Sequence, residues 1–166
     1  LMFIWELATS LAATAIQVQP FDQPNVESAK IRAREMIDEY QEKGSLPEGE
    51  TADLSAETLK TFLSQATTGD YIAVMSYVEP TAATSAAMAT LQATLRDTTK
   101  LATTVNYGPR FLHSTGQLHK GDGGNGLFVQ FTSDSAEDLP IPDQAGSDAS
   151  SMSFQPLKLA QALGDA

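Results

Sequence analysis

At 166 residues and 42% hydrophobic composition, the chain suits one globular domain, or one domain with a helical extension, and is not a disordered polymer. Its 10 Lys and Arg against 21 Asp and Glu give a net charge of −11, which argues against nucleic acid and anionic membrane as partners. With no Cys there is no disulfide framework, thiolate metal site or thiol nucleophile, which accords with a reducing cytoplasm as the expected location.

The first segment, Leu1 to Val18, is apolar. Glu6, the polar breaks at Thr9, Ser10 and Thr14, and the lack of a basic leader disfavour a signal peptide or a membrane span. A buried amphipathic helix is expected, and a chain that opens on Leu inside helical sequence reads as a piece of something longer. Pro20 and Pro24 then break the chain, and Pro24 suits the first turn of a helix, where its missing N–H costs nothing. That helix is expected from Pro24 to Lys43, with Val26, Ala29, Ala33, Ile37 and Tyr40 forming one apolar stripe and Gly44 stopping it.

Gly44 to Leu54 carries Pro47, Gly49 and several acids, and reads as an exposed linker and the best boundary between residues 1–44 and 45–166. Ser55 can cap a short helix reaching Ala66. Tyr71 to Val78 reads as a buried strand closed by Pro80, Ala82 to Thr98 as a helix, and Leu101 to Tyr107 as a strand rich in Thr and Val. Leu127 to Thr132 is the next strand. Ser133 to Ser153 is acidic and rich in Ser, Pro, Asp and Gly, an exposed loop, and Leu157 to Leu163 is a last short helix. Strands alternating with helices predict an α/β fold: a layered α/β/α arrangement with a mostly parallel sheet, preceded by an N-terminal helical pair.

Two stretches hold the chemistry. Gly108 to Gly121 follows a predicted strand immediately, where ligands sit in such sheets, and holds both histidines, His113 and His119, with Arg110, Ser114, Thr115, Gln117 and Lys120. Six residues do not place two rings on one helical face, so a two-His metal site is poorly supported and no metal or cofactor is expected. Acid/base work or anion binding is the better use of these groups, while a plain reading has one His capping a helix or donating to a carbonyl. Gln23 and Lys30 lie seven residues apart, two helical turns, and could converge on one ligand; a solvated Lys is the plainer alternative.

Asp22-Gln23-Pro24-Asn25-Val26-Glu27-x-x-Lys30 resembles the Asp-Gln-Pro-Gly-Val-Glu-x-x-Lys segment of bacterial glucose-6-phosphate isomerases, with Asn25 where Gly is common. His113-Ser114-x-Gly116-Gln117 is similar to the ring-opening His segment of that family. The order is the reverse of the ordinary isomerases. Asp70-Tyr71, Tyr107-Gly108-Pro109-Arg110, Leu139-Pro140-Ile141-Pro142 and Gln161-Ala162-Leu163-Gly164-Asp165 make the chain resemble the C-terminal part of bifunctional transaldolase/glucose-6-phosphate isomerases. Gly121-Asp122-Gly123-Gly124-Asn125 departs from the Gly-Gly-Pro-Asn pattern of those relatives.

The resemblance implies that residues 1–44 are a helical remnant of a sugar-isomerase (SIS) domain and 45–166 a C-terminal α/β region. It implies Lys30 and His113 as catalytic residues that open the sugar ring, and Gln23, Arg110, Ser114 and Gln117 as substrate-binding residues. It further implies a sugar-phosphate substrate, homodimerisation of the full-length enzyme, and a place in glycolysis, gluconeogenesis and the pentose phosphate pathway. The family's Glu-Ser-x-Gly-Lys base, its Ser/Thr-rich phosphate loop and the transaldolase barrel do not occur in these 166 residues, so a further N-terminal part of the same polypeptide is an expected partner. A non-catalytic sugar-phosphate-binding or dimerisation module is the alternative.

Overall fold

The segment from Tyr71 to Tyr77 is apolar at consecutive rather than alternate positions, the pattern of a strand covered on both faces. It forms the central strand β1 of a three-stranded parallel sheet in the order β2-β1-β3, with β2 at Ala102–Tyr107 and β3 at Gly126–Thr132. The register sets Val74 beside Val105 on one side and Val129 on the other. The computed structural model describes residues 1–113 and 115–166; Ser114, expected to contact substrate, lies outside them.

Helices cover both faces of the sheet. Ile72 and Val74, fully buried, face α4 (Ala82–Thr99) and pack with Leu95, Met88 and Leu91, while Met75 and Tyr77 on the opposite face pack with Phe111 and Ala162. The layered α/β/α architecture is the one expected. Helix α4 starts on a reciprocal box in which Thr81 Oγ1 accepts from Thr84 N at 3.1 Å and Thr84 Oγ1 accepts from Thr81 N at 2.8 Å. The short α3 (Ala56–Leu63) is capped by Ser55, as expected.

The second helical layer is made by α2 (Pro24–Lys43), α5 (Gly116–Lys120) and α6 (Phe154–Asp165). Pro24 sits in the first turn of α2, and Gly44 ends it in the left-handed region at φ 76°. Although α2 lies on the 1–44 side of the expected boundary, it packs against α5 and α6, across the irregular segment at 44–55. The close approach to α6 is made at Gly164, where a Cβ would stand 2.7 Å from Ala33 N and 2.9 Å from Ala29 O.

Two elements differ from expectation. The first helix forms as α1 (Met2–Ile16), but only Ala13 is buried, and Phe3 and Trp5 are 73% and 67% exposed. Its large apolar residues ring the helix instead of forming one stripe, so no single face can dock on the α/β layers. Ser133 to Ser153 is exposed, as expected, but closes on a short antiparallel ladder of β4 (Pro140–Ile141) and β5 (Met152–Ser153). Asp143 fastens it by accepting from Ser151 N at 2.8 Å and Ser151 Oγ at 2.7 Å, bonds that lower its carboxyl pKa. Among the described residues no helix is long and apolar enough to cross a membrane.

Candidate functional site

Helix α2 presents two adjoining faces, and each borders a cleft. On one side Lys30, Ala33, Arg34 and Ile37 meet Pro109, Leu112 and His113 after β2, and Gln161 of α6, around a space of about 310 Å³. The two residues expected to open a sugar ring therefore border the same cleft, although 83 positions separate them (113 − 30). His113 is the last residue of a short 3-10 helix, Arg110–His113, and is exposed. Lys30 is half-exposed and stands 3.3 Å from Glu27 Oε2, while Arg34 stands 3.5 Å from Glu27 Oε1, so one carboxylate holds both cations at the rim.

The remaining expected contacts are placed differently. Gln23 is the N-cap of α2, with φ −134° and ψ 60°, and borders neither cleft. Because the cap residue is not in helical conformation, two-turn spacing does not align it with Lys30. Arg110 is exposed and also borders neither cleft; its charge reaches Tyr107, whose phenol is lowered first by bonds with Ser85 and Thr84 and then by Arg110. Gln117 spends its amide on Asn25: its Oε1 accepts from Asn25 N at 3.1 Å and its Nε2 donates to Asn25 Oδ1 at 2.7 Å. Asn25 Nδ2 also reaches the carbonyl of Lys120 at 3.4 Å. Gln117 thus ties the first turn of α2 to α5. Asn25, standing where Gly is common in the resembled segment, supplies the other half of that tie.

On the other side of α2, Asn25, Ser28 and Arg32 face Phe111, His119, Lys120, Phe128, Gln130 and Asp165 across a space of about 490 Å³. His119 is 7% exposed, with the rings of Tyr71, Phe111 and Phe128 at 6.1, 6.2 and 5.6 Å between centroids. Its Nδ1 has no hydrogen-bond partner among the described residues. Beside it Lys120 Nζ stands 2.6 Å from Asp165 Oδ1 and donates to the Asp165 carbonyl at 2.9 Å, with the Asp165 side chain 1% exposed. Tyr77 donates to Asp165 Oδ2 at 3.3 Å, and Tyr71 to Asp122 Oδ2 at 2.6 Å. Burial, and secondarily these carboxylates, push both phenols up, so they remain neutral donors.

Burial holds the His119 pKa below its ordinary value, opposed by the charges of Asp165 and Asp122 and aided by Lys120. The unfolded chain then takes up this proton more readily than the folded one, so stability is complete above the unfolded value of about 6.5 and falls as pH drops through the window below it. Denaturation midpoints between pH 7 and pH 5 are expected to fall, and His119→Phe to flatten that window. An unchanged slope in the variant would count against the burial effect.

Among the described residues no cluster of three or more His, Asp or Glu is placed to hold a metal ion. Sequence reasoning singled out His113 and passed over the buried group of His119, Lys120 and Asp165. The only signal was the pairing of a second His with a Lys, because Asp165 lies 45 positions further along the chain. No protein-family model, curated protein or solved structure matches this chain.

Proposed function

We propose that this chain is the ring-opening portion of a glucose-6-phosphate isomerase, of the kind fused to a transaldolase, acting on glucose 6-phosphate and fructose 6-phosphate. The observation that supports it best is the cleft bordered by both Lys30 and His113, the two residues that the resemblance independently selects. Opening a pyranose removes the proton of the C1 hydroxyl, breaks the bond from C1 to the ring oxygen and delivers a proton to that oxygen. His113 moves the ring-oxygen proton, and Lys30 stands beside the same oxygen as its charge changes. Arg34 adds a second cation at the rim, suited to a phosphate.

Transfer of the proton between C2 and C1 needs a carboxylate base from the rest of the enzyme, within the same polypeptide or a homodimer. A cytoplasmic location belongs to this reading. The 166-residue chain alone is expected to turn over neither fructose 6-phosphate nor a transaldolase substrate. In the intact enzyme His113→Ala and Lys30→Ala are each expected to lower kcat on cyclic substrate by roughly 100-fold, within the usual range for lost acid/base assistance, and to affect open-chain substrate far less. Equal losses on both substrates would overturn the assignment.

The rim cations also suit a non-catalytic sugar-phosphate-binding module. Calorimetry with glucose 6-phosphate separates the two readings: the binding module takes up the ligand in isolation, and the half-site scarcely does.

A further inference from the structure

The geometry points to the cleft around His119 as a second binding site, for a small ligand that joins a flat apolar body to one oxyanion, carboxylate or phosphate. It lies on the face of α2 adjoining the cleft of Lys30 and His113, with Ala29 bordering both, and does not depend on the function proposed for that cleft.

Charge distribution supplies the first argument. In a chain of net charge −11, six of the ten cations, Lys30, Arg32, Arg34, Lys43, Arg110 and Lys120, lie on α2, α5 and the 3-10 helix between β2 and α5, together with both histidines, and they offset the five acids of α2. The rest of the molecule is correspondingly more acidic, so an anion is repelled from most of the surface and favoured here. Of these cations, Arg32 and Lys120 border the His119 cleft.

The cations are also available. Arg32 is exposed and forms no ion pair or hydrogen bond among the described residues, which leaves its planar set of donors open to an oxyanion. Lys120 is held in place by Asp165 through two contacts, at 2.6 and 2.9 Å, and an ammonium has three N–H donors. Only the carbonyl contact is a hydrogen bond, so the ammonium keeps donor capacity while already positioned. The ligand would meet a positioned ammonium and a guanidinium with little ordering cost on the Lys120 side.

The inner wall specifies the body of the ligand. Met75, Phe111 and Phe128 are apolar, and His119 presents a ring with Nδ1 unpartnered among the described residues. Gln130 Oε1 likewise lacks a partner, although Gln130 Nε2 donates to the Ala162 carbonyl at 3.0 Å. Buried polar atoms without hydrogen-bond partners are uncommon and costly; Asp165 Oδ1 in the same wall has the Lys120 ion pair at 2.6 Å, which leaves His119 Nδ1 and Gln130 Oε1 as the two places where a ligand polar group can be gained. The space of about 490 Å³ falls within the range of small-molecule sites. Asp165, Asp122 and Lys120 are the charged groups acting on His119, and Tyr71 stacks on it, so an added anion raises the proton affinity of the ring.

The test uses ring signals of the two histidines, followed by NMR on the 166-residue chain during titration with benzoate, phenyl phosphate and inorganic phosphate. Benzoate or phenyl phosphate is expected to shift the His119 signals saturably and to raise their titration midpoint. The stronger of the two identifies the oxyanion. Arg32→Ala, at an exposed position, is expected to weaken the effect at least about tenfold, whereas Lys30→Ala leaves it unchanged. The site is overturned if neither ring-bearing anion moves His119, if the response survives Arg32→Ala, or if it disappears with Lys30→Ala. Inorganic phosphate binding as tightly as both ring-bearing anions would overturn the apolar part of the ligand.

Discussion

Lys120→Met is expected to destabilise the chain by about 3–5 kcal/mol, the usual cost of stripping the partner from a buried charge. The Asp165 side chain is 1% exposed and its Oδ1 stands 2.6 Å from the Lys120 ammonium. After the substitution, among the described residues only the Tyr77 hydroxyl, at 3.3 Å from Oδ2, still reaches that carboxylate. The same lysine also satisfies the Asp165 carbonyl, so the last turn of α6 loses two contacts at once. Urea denaturation at neutral pH measures the loss. The double variant Lys120→Met with Asp165→Asn should recover much of it, because the orphaned charge is then gone. A single-variant loss below about 1 kcal/mol would mean that water reaches the carboxylate and compensates it.

Gly164→Val is expected to cost about 3 kcal/mol, the upper end of the usual overpacking penalty. The nearest atoms to the added Cβ are backbone atoms of α2, Ala33 N at 2.7 Å and Ala29 O at 2.9 Å. A side chain can rotate away from a new methyl group, but a helix backbone can only translate. Translation of α2 would separate Lys30 and Arg34 from Gln161 and His113, and Arg32 from Asp165, so both clefts should widen together. Denaturation midpoints report the stability loss. A variant as stable as the parent would show that α2 and α6 are not in contact at Gly164.

Strong local signals made most of the fold legible. Pro24 and Gly44 bracket α2 at the residues expected, since one fits only a first turn and the other tolerates the left-handed cap. The continuous apolar and aromatic run at β1 announced a buried strand, and β2 was readable from its Thr and Val content. The failure at α1 has the same origin. Apolar composition shows that a helix would be buried if something surrounded it, and says nothing about whether the chain contains that something.

The site was legible only where a motif carried it. Lys30 and His113 were named by resemblance, and they border one cleft. Gln117 was named by the same motif, yet its amide is occupied by Asn25, a residue 92 positions away. The buried assembly of His119, Lys120 and Asp165 had no motif at all.

From its sequence alone this protein's element order, its α/β layering and its acidic character were determined, because helix caps, strand patterning and charge depend on residues near one another in the chain. Only the tertiary structure decided which of two histidines is buried, that Gln117 holds α2 to α5, and that α2 divides two separate clefts. Those outcomes depend on contacts between residues far apart in the chain, such as Asn25 with Gln117, Lys120 with Asp165 and Ala33 with Gly164, and a chain does not encode such contacts locally.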